Sequence, residues 1–275
     1  MATGASHQPR RVAAGKAAAL VAAVGLAGGL YVAVRALDTT STGRTLVGRP
    51  VVGVVALINA TSPADSIFNG QFCGGTLIAA DRVLTAAHCV IGTTPSRIHA
   101  VVGADNLCRG HPIDGERIAV TSITRHPRYD SQSGRYDLAE LILQSGLPGE
   151  VRLLADQTEP VAGARLTALG WGRMSTGGVP ACRLMRVSLR LLSPTDCTDE
   201  VGSVGARRYD TSSMVCAVPA GETGSDTCTG DSGGPLLIGD DLDQAALFGV
   251  TSWGRGCGTG LPGIYARAAR SGAGE

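Results

Sequence analysis

Three short segments carry residue types that can do chemistry. Leu84-Thr85-Ala86-Ala87-His88-Cys89 runs a strand-like stretch into a small-residue turn that presents a histidine, with Cys89 beside it to pin the turn. Tyr136-Asp137-Leu138-Ala139 sets an aspartate at the start of an apolar strand. Gly230-Asp231-Ser232-Gly233-Gly234-Pro235 is a tight glycine turn that exposes one serine. A serine hydroxyl is a poor nucleophile at neutral pH and needs a base beside it. Histidine is the side chain whose ordinary pKa suits that task. Singly, a histidine after a strand is commonly structural and an aspartate before one is commonly a turn residue. The weight lies in the three occurring together, in the chain order His, Asp, Ser. His7, His99, His111 and His126 lack such contexts and read as surface or structural residues.

The elements that must position these segments read as strands. Apolar or alternating runs follow one another at short intervals: Val51–Ile58, Phe72–Ala79, Arg82–Ala86, Ile98–Val102, Arg117–Thr124 and Leu138–Leu143. A break rich in Gly, Pro and charge, Gln144–Gly163, separates them from six more: Ala164–Trp171, Arg183–Leu192, Met214–Val218, Pro235–Ile238, Ala245–Trp253 and Gly263–Arg267. Helix-period stripes are scarce, and 39 glycines supply turns. The simplest arrangement is an all-β fold of two six-stranded antiparallel barrels.

A net charge of +1 gives no field for nucleic acid or acidic partners. The 8 cysteines, Cys73, Cys89, Cys108, Cys182, Cys197, Cys216, Cys228 and Cys257, are an even set and read as four disulfides of an exported protein. No CxxC pair occurs, so zinc is not expected. Arg10, Arg11 and Lys16 precede an uncharged run, residues 17–34, closed by Arg35. Residues 1–35 therefore read as either a cleaved secretory signal or a retained membrane anchor. Residues 36–45 read as a propeptide or linker. The protein is expected to be secreted, or else anchored with its folded part outside.

The three segments resemble those of the chymotrypsin/trypsin family of serine peptidases over roughly residues 46–270, barrel one at about 46–150 and barrel two at about 160–270. The resemblance implies a serine endopeptidase. His88 would take the Ser232 proton and return it to the leaving amine, and Asp137 would hold the His88 tautomer. The N–H groups of Gly230 and Ser232 would form the oxyanion hole. Asp226, six residues before the serine, matches the base of the primary pocket. Its walls match Ser252, Trp253, Gly254 and Gly263, where glycine admits a long side chain. A carboxylate there implies cleavage after Arg or Lys of protein or peptide substrates. No cofactor, metal or nucleic acid is expected, and a monomer is. The alternative is a non-catalytic relative acting as a binding module.

The family's activation motif is matched only by Leu46-Val47-Gly48-Arg49, with Arg44 two residues ahead of Leu46. The resemblance implies that trimming near Arg44 to Leu46 frees an amino group that buries against Asp231. It also implies the pairs Cys73–Cys89, Cys197–Cys216 and Cys228–Cys257. Cys108 and Cys182 remain, either bridged across the two barrels or free. The family's closing C-terminal helix is not matched in residues 268–275. Carboxylates between Gly103 and Ile118 do not match a calcium loop, so no calcium is expected.

Overall fold

Strands form where the sequence alternates or stays apolar between turn residues. All twelve expected runs become strands, and no end moves by more than three residues. The computed structural model describes residues 44–51, 53–109, 115–151, 159–221, 226–239 and 241–268. The proposed leader or anchor at 1–35, most of the linker and the question of a closing helix after residue 268 lie outside these residues. Among the described residues no helix is long and apolar enough to cross a membrane.

A two-residue strand, β1 (Thr45–Leu46), leads into the first barrel. That barrel comprises β2 (Val54–Asn59), the one-turn helix α1 (Ile67–Gly70), β3 (Gln71–Ala79), β4 (Arg82–Thr85), β5 (Ile98–Val102), β6 (Glu116–Arg125) and β7 (Ala139–Leu143). Its strands close antiparallel in the order β2-β3-β4-β7-β6-β5. The second barrel contains β8 (Arg165–Gly170), β9 (Met185–Leu191), helix α2 (Pro194–Val201), the small hairpin β10 (Ser203–Val204) and β11 (Arg207–Arg208), then β12 (Met214–Pro219), β13 (Pro235–Ile238), β14 (Ala246–Trp253) and β15 (Gly263–Arg267). Six of these close in the order β8-β9-β12-β15-β14-β13, with β13 returning to β8. β1 adds to the outer edge of β9, pairing Thr45 with Arg186.

Strand β2 explains why some runs are apolar throughout. Successive side chains point to opposite faces. Val55 and Leu57 pack inside barrel one with Leu77, Ile98 and Leu141. Val54, Ala56 and Ile58 pack instead with Leu169, Trp171, Leu237 and Val250 of barrel two. Burying one such side chain stabilises by about 1.5–3 kcal/mol. The whole scale of strand propensities spans only about 1 kcal/mol. Burial on both faces therefore sets register, since a slip of one residue would exchange the two cores.

The α2 helix was not expected. Its signals are present: Ser193 accepts a hydrogen bond from the Asp196 N–H at 3.1 Å, Pro194 occupies the first turn, and Gly202 follows with φ 57°. Cys197 on α2 bridges to Cys216 on β12. The other bridges are Cys73–Cys89, Cys108–Cys182 and Cys228–Cys257, so no cysteine is free. The Cys108–Cys182 pair, with Cα atoms 5.1 Å apart, ties the loop after β5 to the segment entering β9. Around it the Leu107 N–H donates to the Cys182 carbonyl at 2.8 Å and the Leu184 N–H to the Asp105 carbonyl at 2.7 Å.

Candidate active site

Strand β4 ends at Thr85, and the chain tightens into a 3-10 turn at Ala87–Val90 that carries His88. Cys89 fastens this turn to β3 through Cys73. The Asp137 carboxylate receives the turn at two points. The His88 backbone N–H donates to Oδ1 at 2.8 Å, and ring Nδ1 lies 2.7 Å from Oδ2. A carboxylate at Nδ1 keeps the proton on that nitrogen and leaves Nε2 as the basic one. Asp137 itself is aimed by Tyr136, the one non-glycine residue with positive φ among the described residues, at 51°. Such a backbone costs roughly 1–3 kcal/mol. The Tyr136 ring is held in place by stacking on His126 at 4.9 Å, under the Arg128 guanidinium at 4.1 Å.

Burial pushes the Asp137 carboxyl pKa up, but the donors from His88 and from the Ser252 hydroxyl outweigh it, and the net shift is downward. The Ser252 bond, 2.5 Å to Oδ2, had no signal in the sequence, where Ser252 is only a pocket wall. The carboxylate therefore stays ionised in a site shielded from water.

Ser232 sits on the other barrel, in the turn before β13. The Gly74 N–H of β3 donates to the Ser232 carbonyl at 2.7 Å, and the Gly233 N–H to the Thr251 carbonyl at 2.8 Å. A Cβ on Gly233 would lie 2.2 Å from Thr85 Oγ1 and 3.2 Å from the Ala86 N. Only glycine, at φ 81°, lets the serine turn close on the strand that delivers His88. Among the described hydrogen bonds His88 Nε2 contacts Cys89 Sγ, at 3.8 Å, and none joins it to Ser232 Oγ. In free enzymes this contact is often long and tightens with substrate.

The N–H groups of Asp231, Gly233 and Gly234 are all taken by backbone carbonyls. Those of Gly230 and Ser232 have no acceptor among the described residues. Gly230 adopts φ 98°, and its carbonyl is held away by Gln71 Nε2 at 2.8 Å. Two neighbouring donors without acceptors suit an oxygen that gains negative charge. Gln71 is a contributor the sequence reading missed, since nothing local marks it.

Beside Ser232 opens a cavity of about 290 Å³ lined by Asp226, Ser252, Trp253, Gly254 and Gly263, among others. Asp226 is 6% exposed. Its Oδ1 accepts from the Thr227 N–H at 2.7 Å, while Oδ2 has no partner among the described residues. Burial raises its pKa to about 6 against the pull of the Thr227 bonds. A Cβ on Gly263 would stand 3.0 Å from Asp226 Oδ1, so any side chain there would cover the carboxylate. The Cys228–Cys257 bridge closes one wall.

Asp231 is fully buried. Oδ1 accepts from the Gly172 N–H at 2.8 Å and Oδ2 from the Cys228 N–H at 2.8 Å. Its cation is the Arg44 guanidinium, 3.0 Å away and itself 2% exposed. Leu46, whose freed amine was the expected partner, is 46% exposed on β1.

Among the described residues one cluster has ligand-like spacing, Cys73, His88 and Cys89, but its two sulfurs are joined in a disulfide and cannot serve as thiolates. Two of the three chemical segments are thus joined directly, through His88 and Asp137, and the Ser232 turn packs against the end of the strand that delivers His88. The family model described as Trypsin matches residues 53–271. Trypsin of Saccharopolyspora erythraea is 39% identical over 202 residues, 72% of this chain and 82% of that protein. Trypsin zeta of Drosophila melanogaster is 36% identical over 206 residues, 72% of this chain and 70% of that one. Serine protease 56 of Homo sapiens is 39% identical over 206 residues, 72% of this chain and 33% of that protein. Two closed antiparallel barrels, a serine on a glycine turn and this match together identify the chain as a member of the trypsin family, a serine-type endopeptidase.

Proposed function

We propose that the protein hydrolyses peptide bonds that follow arginine or lysine, with Ser232 as nucleophile, His88 as base and Asp137 as the orienting anion. The substrate side chain enters the cavity and its cation meets Asp226. His88 Nε2 takes the Ser232 proton as Oγ attacks the carbonyl. The N–H groups of Gly230 and Ser232 hold the oxygen as it becomes negative. The tetrahedral intermediate collapses, His88 gives its proton to the leaving amine, and an acyl-enzyme remains. Water, deprotonated by the same nitrogen, then releases the acid and frees Ser232. The imidazolium formed in each half is stabilised by Asp137, 2.7 Å from Nδ1.

The observation that carries the specificity is Asp226: a nearly buried carboxylate lining the cavity, with one oxygen unpartnered and no protein cation on it among the described residues. A desolvated carboxylate strongly prefers a cationic partner over an apolar one. Trp253 and Gly254 line the path to it, and a Cβ on Gly254 would meet Gly263 Cα at 3.8 Å, so larger side chains there would narrow the slot. Arginyl and phenylalanyl amides should be compared on enzyme whose sites are counted with a fluorophosphonate that labels Ser232. The arginyl substrate should lead by 10³-fold or more in kcat/KM, roughly the cost of burying an unpartnered charge. Asp226→Ser should remove most of that lead. Equal rates for the two substrates would refute the specificity, and absence of labelling would refute the mechanism.

All eight cysteines are paired, which supports export to an oxidising compartment. Whether residues 17–34 are cleaved off as a signal or retained as a membrane anchor is read by mass spectrometry of the exported protein.

A further inference from the structure

We infer that Arg44 is a built-in activating cation, so that the uncut chain is a working peptidase and needs no cleavage between Arg44 and Leu46. This rests on the reading of Ser232 as nucleophile and concerns how its surroundings are held.

Asp231 lies between the two residues whose N–H groups face the cleft, Gly230 and Ser232. Its carboxylate also takes the N–H of Cys228, whose disulfide borders the Asp226 cavity, and that of Gly172 from the neighbouring loop. One buried anion therefore holds the oxyanion donors and the pocket wall in a single arrangement. A carboxylate this deep needs a cation, because an uncompensated buried charge either protonates or moves toward water. Arg44 supplies it from 187 residues away. Its second nitrogen donates to the Arg173 carbonyl at 2.8 Å and faces the Gly172 carbonyl at 3.4 Å, so the guanidinium grips the same loop as the carboxylate. β1 anchors the segment through its pairing with β9.

Two consequences follow from the burial of Arg44. A cut after it would need the Arg44 side chain in another peptidase's pocket, yet the residue is 3% exposed. Such a cut, or one after Thr45, would also detach the cation from the chain it serves. The intact form is thus both protected from that cleavage and complete without it.

Charge type separates this arrangement from an α-amine on Asp231. A guanidinium stays charged to about pH 12, whereas an α-amine ordinarily titrates near 8 before pairing raises it. Among the described residues the other titratable groups facing the pair are Asp226 and Tyr265. Asp226 is ionised above about 6, and burial holds the Tyr265 hydroxyl well above its ordinary value, so neither changes charge between pH 7 and 10.

The experiment uses exported protein whose intact mass proves that Arg44 is retained. Expected are fluorophosphonate labelling of Ser232, arginyl-amide turnover without any treatment, and kcat/KM flat from pH 8 to about 10. Arg44→Ala should lower kcat per titrated site by about 100-fold or more, the scale of a lost oxyanion donor, and raise KM as the pocket wall loosens. Guanidinium ion in the buffer should restore part of the rate. Arg44→Lys keeps a charge and removes the Nε–H, which is buried without a partner. It should retain activity within about tenfold and acquire an alkaline limb near the lysine pKa of about 10.4 or above. A role confined to stability would lower yield and Tm but leave kcat per titrated site and its pH profile unchanged, which would overturn the inference. So would an uncut chain that is silent until cleaved between Arg44 and Leu46, an outcome that leaves the peptidase reading standing. Silence of both forms would remove that reading and this one together.

Discussion

The two rims that meet at the cleft are built on different principles. Barrel one delivers His88 and Asp137 from segments that satisfy one another: two hydrogen bonds join them, and each is locked to a strand end or a disulfide. Barrel two carries Ser232, two N–H groups that have no acceptor among the described residues and the Asp226 cavity, beside a buried carboxylate paired with a distant segment. Asp231 is paired with Arg44 from the N-terminal segment, and Asp226 has no cation among the described residues; on the proposed specificity its cation arrives with substrate. Both rims bury aspartates to a similar depth, at 3% exposure for Asp137 and 6% for Asp226. Their pKa values nevertheless move in opposite directions, down for Asp137 and up to about 6 for Asp226. Burial is common to both, so donors decide: Asp137 has three, from His88 and Ser252, while the Thr227 bonds on Asp226 Oδ1 are too few to offset desolvation. A self-satisfied rim can be rigid before substrate binds, whereas on the proposed specificity the deficient rim is completed by binding.

The largest expected effect lies on the self-satisfied rim. His88→Ala should lower kcat by about 10⁶, the scale seen when a member of such a triad is removed, with KM little changed and Tm lowered, because the buried Asp137 carboxylate loses its ring partner. Steady-state kinetics on titrated enzyme decide it, and a wild-type kcat would exclude His88 as base. A large change in KM instead would mean that the two rims are not independent.

Next is the bridge that ties the barrels together. Replacing Cys108 and Cys182 by serine opens a closure spanning 74 residues, worth up to roughly 4 kcal/mol on a chain-entropy account. Chemical denaturation should show that loss, while kcat per titrated site stays within about twofold. A fall in kcat of tenfold or more would show that the bridge also aligns the rims.

The smallest effect tests the deficient rim. Because the folded pKa of Asp226 is raised, the free enzyme holds an extra proton as pH falls through about 6, and a cationic substrate must displace it. KM for an arginyl substrate should rise by up to tenfold per pH unit below about 6, while KM for an uncharged substrate should not. The same shift lowers folding stability as pH rises from the ordinary aspartate range to about 6, since the native state there binds more protons than the unfolded chain. A cationic inhibitor should reverse that loss, measured as a larger gain in Tm at pH 7 than at pH 5.

Much of this architecture was readable from local pattern. The strands are written in alternating or wholly apolar runs and bounded by glycine, proline and charge. The serine turn is written in its glycines, two of which adopt positive φ in the turn itself. The α2 helix was legible too, through Ser193, Pro194 and Gly202, but the stretch between the Arg183–Leu192 and Met214–Val218 runs was given no element. What could not be read were partnerships. Ser252 reaches Asp137 across 115 residues, Gln71 reaches Gly230 across 159, and Arg44 reaches Asp231 across 187. The sequence alone determined which stretches become strands and turns, because those depend on residues a few positions apart. Only the packing of the two barrels decided which cation meets which buried carboxylate, because that choice is made by whichever chain segment the folded cores bring within about 3 Å of it.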